Sequence, residues 1–185
     1  MDRLPLHQDL YLIAHDKTGK PYVHPASLAL GLAGAALLDR LLTAPVKPLL
    51  NPGPVALIKG AAAGGIYDRT REELLGSGVL VRVTGRRLGM LPYTRYELAD
   101  IASVVRASSG VRAAVEGWKT PDARCAGLCG LVAVLRLEGE LYLDQPAARL
   151  VARLREIAAS AASPVGELVE IVDTLVAEAA VAVYR

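Results

Sequence analysis

The 185-residue chain has a formal net charge of +2, and 52% of its residues are hydrophobic although it has no phenylalanine. Its length suits one domain over residues 1–185 that buries a core of its own. This net charge is too small for the protein to bind nucleic acid through its overall positive charge. Only a local cluster of basic residues could bind the phosphate backbone. A composition rich in alanine, leucine and valine favours closely packed helices.

Two helices are predicted before residue 43. Residues 6–14 place Leu6, Leu10 and Ile13 on one face, which is the spacing of an amphipathic helix. Residues 25–42 begin with a proline, which suits the first helical position, and are mostly apolar or small. We expect this second helix to be the central and most buried element. Its apolar run, residues 25–38, is shorter than the roughly 18–20 residues that span a bilayer, so any membrane contact is expected to be peripheral.

The next segment has weak structural signals. Residues 43–55 contain four prolines and are expected to be irregular. A helix over residues 57–65 is compatible with the pattern, but Gly60, Gly64 and Gly65 disfavour it.

Residues 68–96 are the stretch around which the chain is organised. Asp68 is expected to cap a short helix over residues 68–75, and Gly76 and Gly78 are expected to end it. Alternating residues then predict two strands around a turn at Thr84-Gly85-Arg86. Pro92 is expected to end the pairing because it lacks an N–H group.

This hairpin is both basic and apolar. Residues 76–96 contain four arginines and no acid, with three large apolar side chains beside the predicted turn. The arginines are Arg82, Arg86, Arg87 and Arg95, and the apolar residues are Leu88, Met90 and Leu91. Exposed apolar groups beside cations favour a partner that is anionic, apolar or both. The alternative is a solvated edge that its charges protect from aggregation.

The rest of the chain is predicted to be helical. Helices are expected over residues 97–117, from a cap at Thr120 to residue 135, over residues 146–160, and from residue 163 to the end. The predicted fold class is mainly α: a helical bundle around a central apolar helix, with one protruding β-hairpin.

No catalytic or metal site is predicted. The chain has no P-loop, GxGxxG, HExxH or GxSxG motif, and its three histidines are scattered. Cys125 and Cys129 lie four residues apart in a predicted helix, where two buried reduced thiols are expected rather than a disulfide or a zinc site. We therefore expect an intracellular protein that is not an enzyme and needs no cofactor. The N-terminal residues do not resemble a signal peptide.

Several segments resemble the Golgi phosphoprotein 3-like family in its short bacterial form. They are LPLHQDLYLIAHD, GLAGAALLDRLL, REELLGSGVL with the hairpin and LPYTRY, and TPDARCAGLCGLVAVLRL. The similarity covers most of the chain outside residues 43–65. The resemblance implies a mostly helical, non-enzymatic domain with a membrane-facing hairpin. Eukaryotic members of the family bind phosphatidylinositol 4-phosphate and recruit glycosyltransferase tails in the Golgi.

The resemblance also implies a lipid head-group pocket made of one tryptophan and three arginines. The four corresponding positions here all depart from that pattern: they are His24, Ala33, Gly64 and Tyr67. Arg69 and Arg71 lie nearby in the sequence and are the residues that would replace the missing cations. We therefore expect the protein to associate with membranes, but to recognise the lipid head-group less specifically than the eukaryotic members of the family do.

We expect a cytoplasmic protein, peripherally associated with a membrane, that binds a phosphoinositide or another anionic lipid and acts as an adaptor for membrane-protein tails. Head-group contacts are assigned to Arg69, Arg71, Arg82, Arg86 and Arg87, and membrane insertion to Leu88, Met90 and Leu91. The alternative is a winged-helix-like nucleic-acid-binding protein, because a helix followed by a basic hairpin has the outline of a wing. Glu72 and Glu73 in the preceding helix disfavour this alternative. The sequence leaves open whether the protein is instead a scaffold that binds only proteins. It also does not identify the lipid or show whether the protein forms a homo-oligomer.

Overall fold

The computed structural model of the protein describes residues 3–43, 52–87, 90–161 and 163–183, with the backbone alone for residues 87, 163 and 183. Helices α1 to α4 precede a hairpin of strands β1 and β2, and helices α5 to α8 follow it. Their bounds are α1 (Leu6–Ile13), α2 (Pro25–Thr43), α3 (Pro54–Ala63), α4 (Ile66–Gly76), β1 (Leu80–Arg87), β2 (Leu91–Leu98), α5 (Ile101–Val115), α6 (Ala123–Val134), α7 (Ala147–Ala159) and α8 (Ser163–Val183), with a 3-10 helix at Glu138–Leu141. The fold is mainly α with one antiparallel hairpin, as the sequence predicts.

Helices α2 and α6 form the centre of the bundle. Helix α2 packs against α1, α3, α4, α6 and α8, whereas α6 packs against α1, α2, α5, α7 and α8. The prediction that α2 is the most buried element is wrong, because residues 125–134 of α6 are all buried while both ends of α2 reach the surface. Helix α6 is short and carries no charge after Arg124, so neighbouring helices can enclose it on every side.

Small residues let these helices approach closely. A Cβ atom on Gly34 would overlap the side chain of Val172 in α8, and one on Gly127 would overlap Leu38 in α2. Gly34 in α2 and Gly127 in α6 therefore allow their helices to pack closely against α8 and α2. Interiors packed this tightly respond to the addition of even one methylene group.

Within the described ranges, α2 is the helix that is long and apolar enough to cross a membrane by length and composition, so the expectation that its apolar stretch is too short is wrong. Half of its most apolar stretch is buried inside the fold. Leu28, Leu32 and Leu38 are all fully buried, as expected for a helix that packs on five others.

Aspartate caps shift two predicted helix starts. Helix α5 begins at Ile101 rather than at residue 97, because Asp100 accepts a hydrogen bond from the backbone N–H of Ala102 (3.0 Å). Helix α6 begins at Ala123, capped by Asp122, whose Oδ1 accepts from the N–H of Cys125 (2.7 Å), so Thr120 is not the cap. A carboxylate that satisfies free N–H groups of the first turn fixes where a helix starts.

Two further boundaries concern α3 and α4. Residues 44–51 of the proline-rich stretch lie outside the described residues, and α3 begins near its end, at Pro54. Helix α4 begins at Ile66 after Gly65, which has a φ of 78°, so Asp68 lies in the first turn and is not the predicted cap. The predicted stop is confirmed: Gly78 has a φ of 73° and donates to the carbonyl of Leu75 (3.1 Å), which closes the helix end.

Candidate functional site

The hairpin is longer than predicted. Strands β1 and β2 pair antiparallel from Leu80 opposite Leu98 to Arg87 opposite Leu91. The predicted turn at residues 84–86 is wrong, because these residues lie inside β1 and the chain reverses between residues 87 and 91. Pro92 does not end the pairing but lies opposite Arg86. Both strands of a two-stranded sheet are edges, and proline is tolerated on edge strands.

The glycine that suggested a turn has a different role. Tyr93 lies opposite Gly85, and a Cβ atom on Gly85 would be only 2.7 Å from the Tyr93 hydroxyl group. The aromatic ring therefore covers the space that the glycine leaves open, an arrangement that helps fix strand register. Eight residues per strand give the hairpin a length of roughly 26 Å.

The hairpin meets the helical body mainly at its base. Val79 and Leu80 are buried, and β1 packs against α4. We call residues 86–92 the hairpin tip. The side chains described there, Arg86, Met90, Leu91 and Pro92, are all exposed. The tip therefore projects from the bundle and leaves its side chains available to a partner.

The four arginines of the hairpin have different surroundings. Arg82 forms an ion pair with Glu72 of α4 (3.4 Å), and Arg95 forms one with Glu97. No carboxylate in the described part of the chain pairs with Arg86. The side chain of Arg87 is outside the described residues. Among the three hairpin arginines whose side chains the structure describes, Arg86 at the tip is thus the one without an acidic partner.

The tip is also apolar. Met90 is 82% exposed and Leu91 is 65% exposed, whereas Leu88 lies outside the described residues. Side chains alternate between the two faces of a strand, which places Leu91 and Tyr93 on one face of β2. Val81, on the same face of the ribbon by register, is also exposed. Exposed apolar groups thus lie along one face of the ribbon, which also carries the ion pair of Arg95 with Glu97.

Arg71 anchors the base of the hairpin to α4. Its guanidinium Cζ lies 4.3 Å from the ring centroid of Tyr96 in β2 and 5.8 Å from that of Tyr67. Asp68 forms an ion pair with it at 2.7 Å, and only 19% of the Arg71 side chain is exposed. A cation stacked on aromatic rings stabilises the packing between the elements that carry them.

An aromatic cluster continues from this anchor into α1, in which Tyr11 is buried and His15 and Tyr67 are half-buried. His15 stacks on Tyr11 at a centroid distance of 3.8 Å, and its Nε2 lies 2.9 Å from the hydroxyl oxygen of Tyr67. Burial lowers the pKa of His15 to about 4, so its imidazole is neutral at pH 7. Burial likewise raises the pKa of Tyr11. Sequence reasoning missed this cluster because Tyr67 lies more than 50 residues from Tyr11 and His15.

The turn after α1 supports the same region. The side chain of Asp16 accepts hydrogen bonds from the backbone N–H groups of Thr18 (2.8 Å) and Lys20 (2.9 Å), which close a polar turn. The Lys17 carbonyl accepts from Leu98 of β2 (3.2 Å). Gly19 has a φ of 79° and leaves no room for a Cβ atom beside the Tyr96 carbonyl. The base of the hairpin is thus held by α4 and by this turn.

The four positions of the family pocket have separate surroundings. His24 is exposed before α2, and its Nδ1 accepts from the N–H of Ala26 (3.3 Å). Ala33 is buried in α2 on the wall of a cavity shared with α3. Arg69 is exposed and donates to the carbonyl of Gly64 (3.1 Å). Arg69 therefore lies beside Gly64, and Arg71 lies beside Tyr67. Each of these arginines is thus next to a position at which the family resemblance implies an arginine that this chain lacks.

In the described ranges, no group of three or more His, Cys, Asp and Glu side chains could hold a metal ion. Cys125 and Cys129 are both free and buried, as predicted.

Comparison with known proteins adds one finding. The family model for Golgi phosphoprotein 3 (GPP34) matches residues 51–179, which is more than half of the chain and includes the whole hairpin. Of the segments that carry the resemblance, the two at residues 4–16 and 31–42 precede this match, and the others lie inside it. No curated protein shows significant similarity to the chain.

Proposed function

The chain belongs to the Golgi phosphoprotein 3 family, and from this membership we propose that it is a peripheral membrane module that binds anionic phospholipid through its hairpin. The family consists of non-enzymatic lipid-binding and adaptor proteins, which favours a binding role. The observation that carries the proposal is the hairpin tip, which exposes Met90 and Leu91 together with Arg86. We place the protein on the cytoplasmic side of a membrane, with membrane-protein tails as its clients.

The apolar side chains supply the larger energy term. Moving a leucine or methionine side chain from water to an apolar environment is favourable by about 1.5–3 kcal/mol. Met90 and Leu91 are already exposed, so they would enter the acyl region without breaking contacts inside the fold. Leu88 is proposed to insert with them.

The charge term depends on which arginines are neutralised. A basic residue near an anionic surface contributes about 1 kcal/mol. Arg86 and Arg87 are proposed to supply most of this attraction, since Arg82 and Arg95 already pair with Glu72 and Glu97. Binding of this size is reversible and weakens as salt screens the surface.

Head-group contacts beyond the tip are assigned to Arg69 and, at the edge of the ribbon, Arg82. Arg69 is exposed, and its contact with the Gly64 carbonyl is a single hydrogen bond that a phosphate could replace. Arg71 is held between Asp68 and Tyr96. We therefore propose that Arg71 acts chiefly by holding the hairpin against α4, and that its contact with lipid is secondary.

Lipid specificity is expected to be low. Ala33 and Tyr67 stand where the resemblance implies arginines, and Ala33 is buried. Vesicles containing phosphatidylinositol 4-phosphate and vesicles containing phosphatidylglycerol should bind the protein equally well when their surface charge is matched. A preference of tenfold or more for the 4-phosphate would mean that Arg69 or Arg71 rebuilds a specific pocket.

The hairpin is tested by reversing its charge. Arg86→Glu with Arg87→Glu should abolish flotation with phosphatidylglycerol vesicles at low salt, because two attractions become two repulsions. The matched control is Arg112→Glu with Arg149→Glu, which changes the net charge equally at two exposed positions in α5 and α7. This control should still float.

A second pair of substitutions measures how much the apolar side chains contribute to membrane binding, separately from the charges. Leu88→Ser with Met90→Ser should leave binding at low salt but remove it at high salt, because the loss of buried CH₂ groups costs about 0.8 kcal/mol each. A DNA mobility-shift assay on the same variants tests the winged-helix alternative, in which only the arginine change would matter. If both double variants float as well as the parent, the hairpin is a solvated edge and the proposal fails.

A further inference from the structure

The cavity between α2 and α3 is large enough for a small ligand. It has a volume of about 380 Å³ and is open to solvent. Its α2 wall runs from Ala33 to Arg40, which is roughly 10 Å along the helix axis. Cavities of this size hold small molecules through mostly apolar contacts and a few polar groups. His24, Gly64 and Tyr67 do not line it, so this cavity is not the head-group pocket that the family resemblance implies.

The walls of this cavity are almost entirely apolar. Ala36 and Leu37 line it from α2, and Ala56, Leu57 and Ala61 line it from α3. These side chains have no hydrogen-bond donor or acceptor, so water inside the cavity gains little from them. Replacing this water by the CH₂ groups of a ligand is therefore favourable.

One cation lies on the otherwise apolar wall. Among the described residues, Arg40 is the charged side chain that lines the cavity, and no acid pairs with it. The neighbouring Asp39 is already engaged, because it pairs with Arg124 and accepts a hydrogen bond from the N–H of Leu6. The sequence has no further acid before Asp68, so neither α3 nor the connection between the two helices contains one. An unpaired cation beside an apolar cavity matches a ligand with an apolar body and one anionic group.

We propose that this cavity binds a free fatty acid of medium chain length, with its chain between α2 and α3 and its carboxylate paired with Arg40. A guanidinium group can bind a carboxylate through two parallel hydrogen bonds. Arg40 is exposed, so the carboxylate keeps part of its hydration while the chain leaves water. The site shares no residue with the hairpin and does not depend on the proposed membrane binding.

The probe is decanoate below the concentration at which it forms micelles, titrated calorimetrically into the full-length chain. One decanoate should bind per chain, and octanoate should bind roughly tenfold more weakly because it buries two CH₂ groups fewer. Neutral 1-decanol should bind about fivefold more weakly than decanoate, since it lacks the charge that pairs with Arg40. Arg40→Gln should reduce this preference to less than about twofold. The matched control Arg112→Gln removes an exposed cation from α5 and should leave the preference unchanged.

A second variant fills the cavity. Ala56 and Gly60 line it one helical turn apart in α3, and both positions are exposed, so larger side chains there need not disturb the core. Ala56→Leu with Gly60→Leu should weaken decanoate binding at least about tenfold, because the chain can no longer be buried. The matched control is Gly76→Leu with Ala152→Leu, at exposed helical positions away from the cavity, and it should bind decanoate as the parent does. Circular dichroism melting checks that both double variants are folded.

Two further measurements separate this site from the hairpin. Met90→Ser with Leu91→Ser should leave decanoate binding unchanged, and the cavity-filling variant should still float with phosphatidylglycerol vesicles as the parent does. Weaker flotation of that variant would mean that the cavity takes an acyl chain from a bilayer phospholipid, which would overturn the assignment to a free fatty acid. The proposal also fails if the parent binds no decanoate or several per chain, if decanol binds equally well, or if filling the cavity has no effect.

Discussion

Helix α6 and the hairpin both contain many apolar residues, but only α6 is enclosed by other elements. Residues 125–134 are buried among five helices, whereas Met90 and Leu91 at the hairpin tip lie in solvent. The two regions also differ in charge: α6 has none after Arg124, and the hairpin has four arginines. Apolar side chains thus have two different roles in this chain. Those of α6 stabilise the fold, whereas those of the hairpin tip remain exposed and available for contact.

The strongest test of this comparison is truncation of one apolar side chain in each region. Leu131→Ala in α6 should destabilise the protein by about 2–5 kcal/mol, because a fully buried side chain is lost and a cavity remains. Met90→Ala should change the free energy of unfolding by less than about 0.5 kcal/mol. Urea unfolding followed by circular dichroism measures both. Similar losses for the two variants would contradict the assignment of the regions.

The junction between the regions can be probed with acid. The pKa of His15 is about 4 in the fold and about 6.5 in the unfolded chain. The unfolded state therefore binds the extra proton between these values, so stability is complete above about pH 6.5 and falls as the pH drops towards 4. The loss should reach the order of 3 kcal/mol at pH 4.

The matched control for this experiment is His15→Gln, which cannot titrate. Its free energy of unfolding, measured in urea at several pH values, should depend less on pH over the same interval. The difference between the parent and the variant isolates the histidine from the carboxylates that also titrate there. Parallel curves would show that His15 is not held neutral by the fold.

A smaller effect is expected from overpacking. Gly34→Leu should destabilise the protein by about 1–3 kcal/mol, because its Cβ atom would overlap Val172, whose branched side chain has little freedom to move. Gly60→Leu in α3 is the control: apart from its own stretch of helix, no atom lies within 4 Å of a Cβ built there, and replacing a helical glycine should stabilise by up to about 1 kcal/mol. An unchanged melting temperature for Gly34→Leu would contradict close packing of α2 and α8.

Sequence patterns were sufficient for the helices because their core positions repeat at helical spacing. Leu150, Leu154 and Ile157 in α7 are buried as their spacing predicts, and so are Leu168 and Leu175 in α8. The boundaries were less accurate because they depend on single hydrogen bonds, such as those that Asp100 and Asp122 accept from backbone N–H groups.

The hairpin shows what sequence reasoning lacks. Gly85 has the local signature of a turn, but its role depends on Tyr93 across the sheet, and the strand register that pairs them is not visible in the sequence. The cation–π contact between Arg71 and Tyr96 likewise joins residues 25 positions apart. Arg71 was therefore expected to face lipid, although the fold encloses most of its side chain.

The projection of the hairpin tip has a consequence for the divergence of such proteins. Because Arg86, Met90 and Leu91 are exposed, substitutions there should leave the stability of the bundle almost unchanged. Changes at the tip therefore need no compensating changes in the core. The chemistry of the tip can therefore change in single mutational steps, each of which leaves a folded protein, whereas the close packing of the bundle limits the substitutions that it accepts.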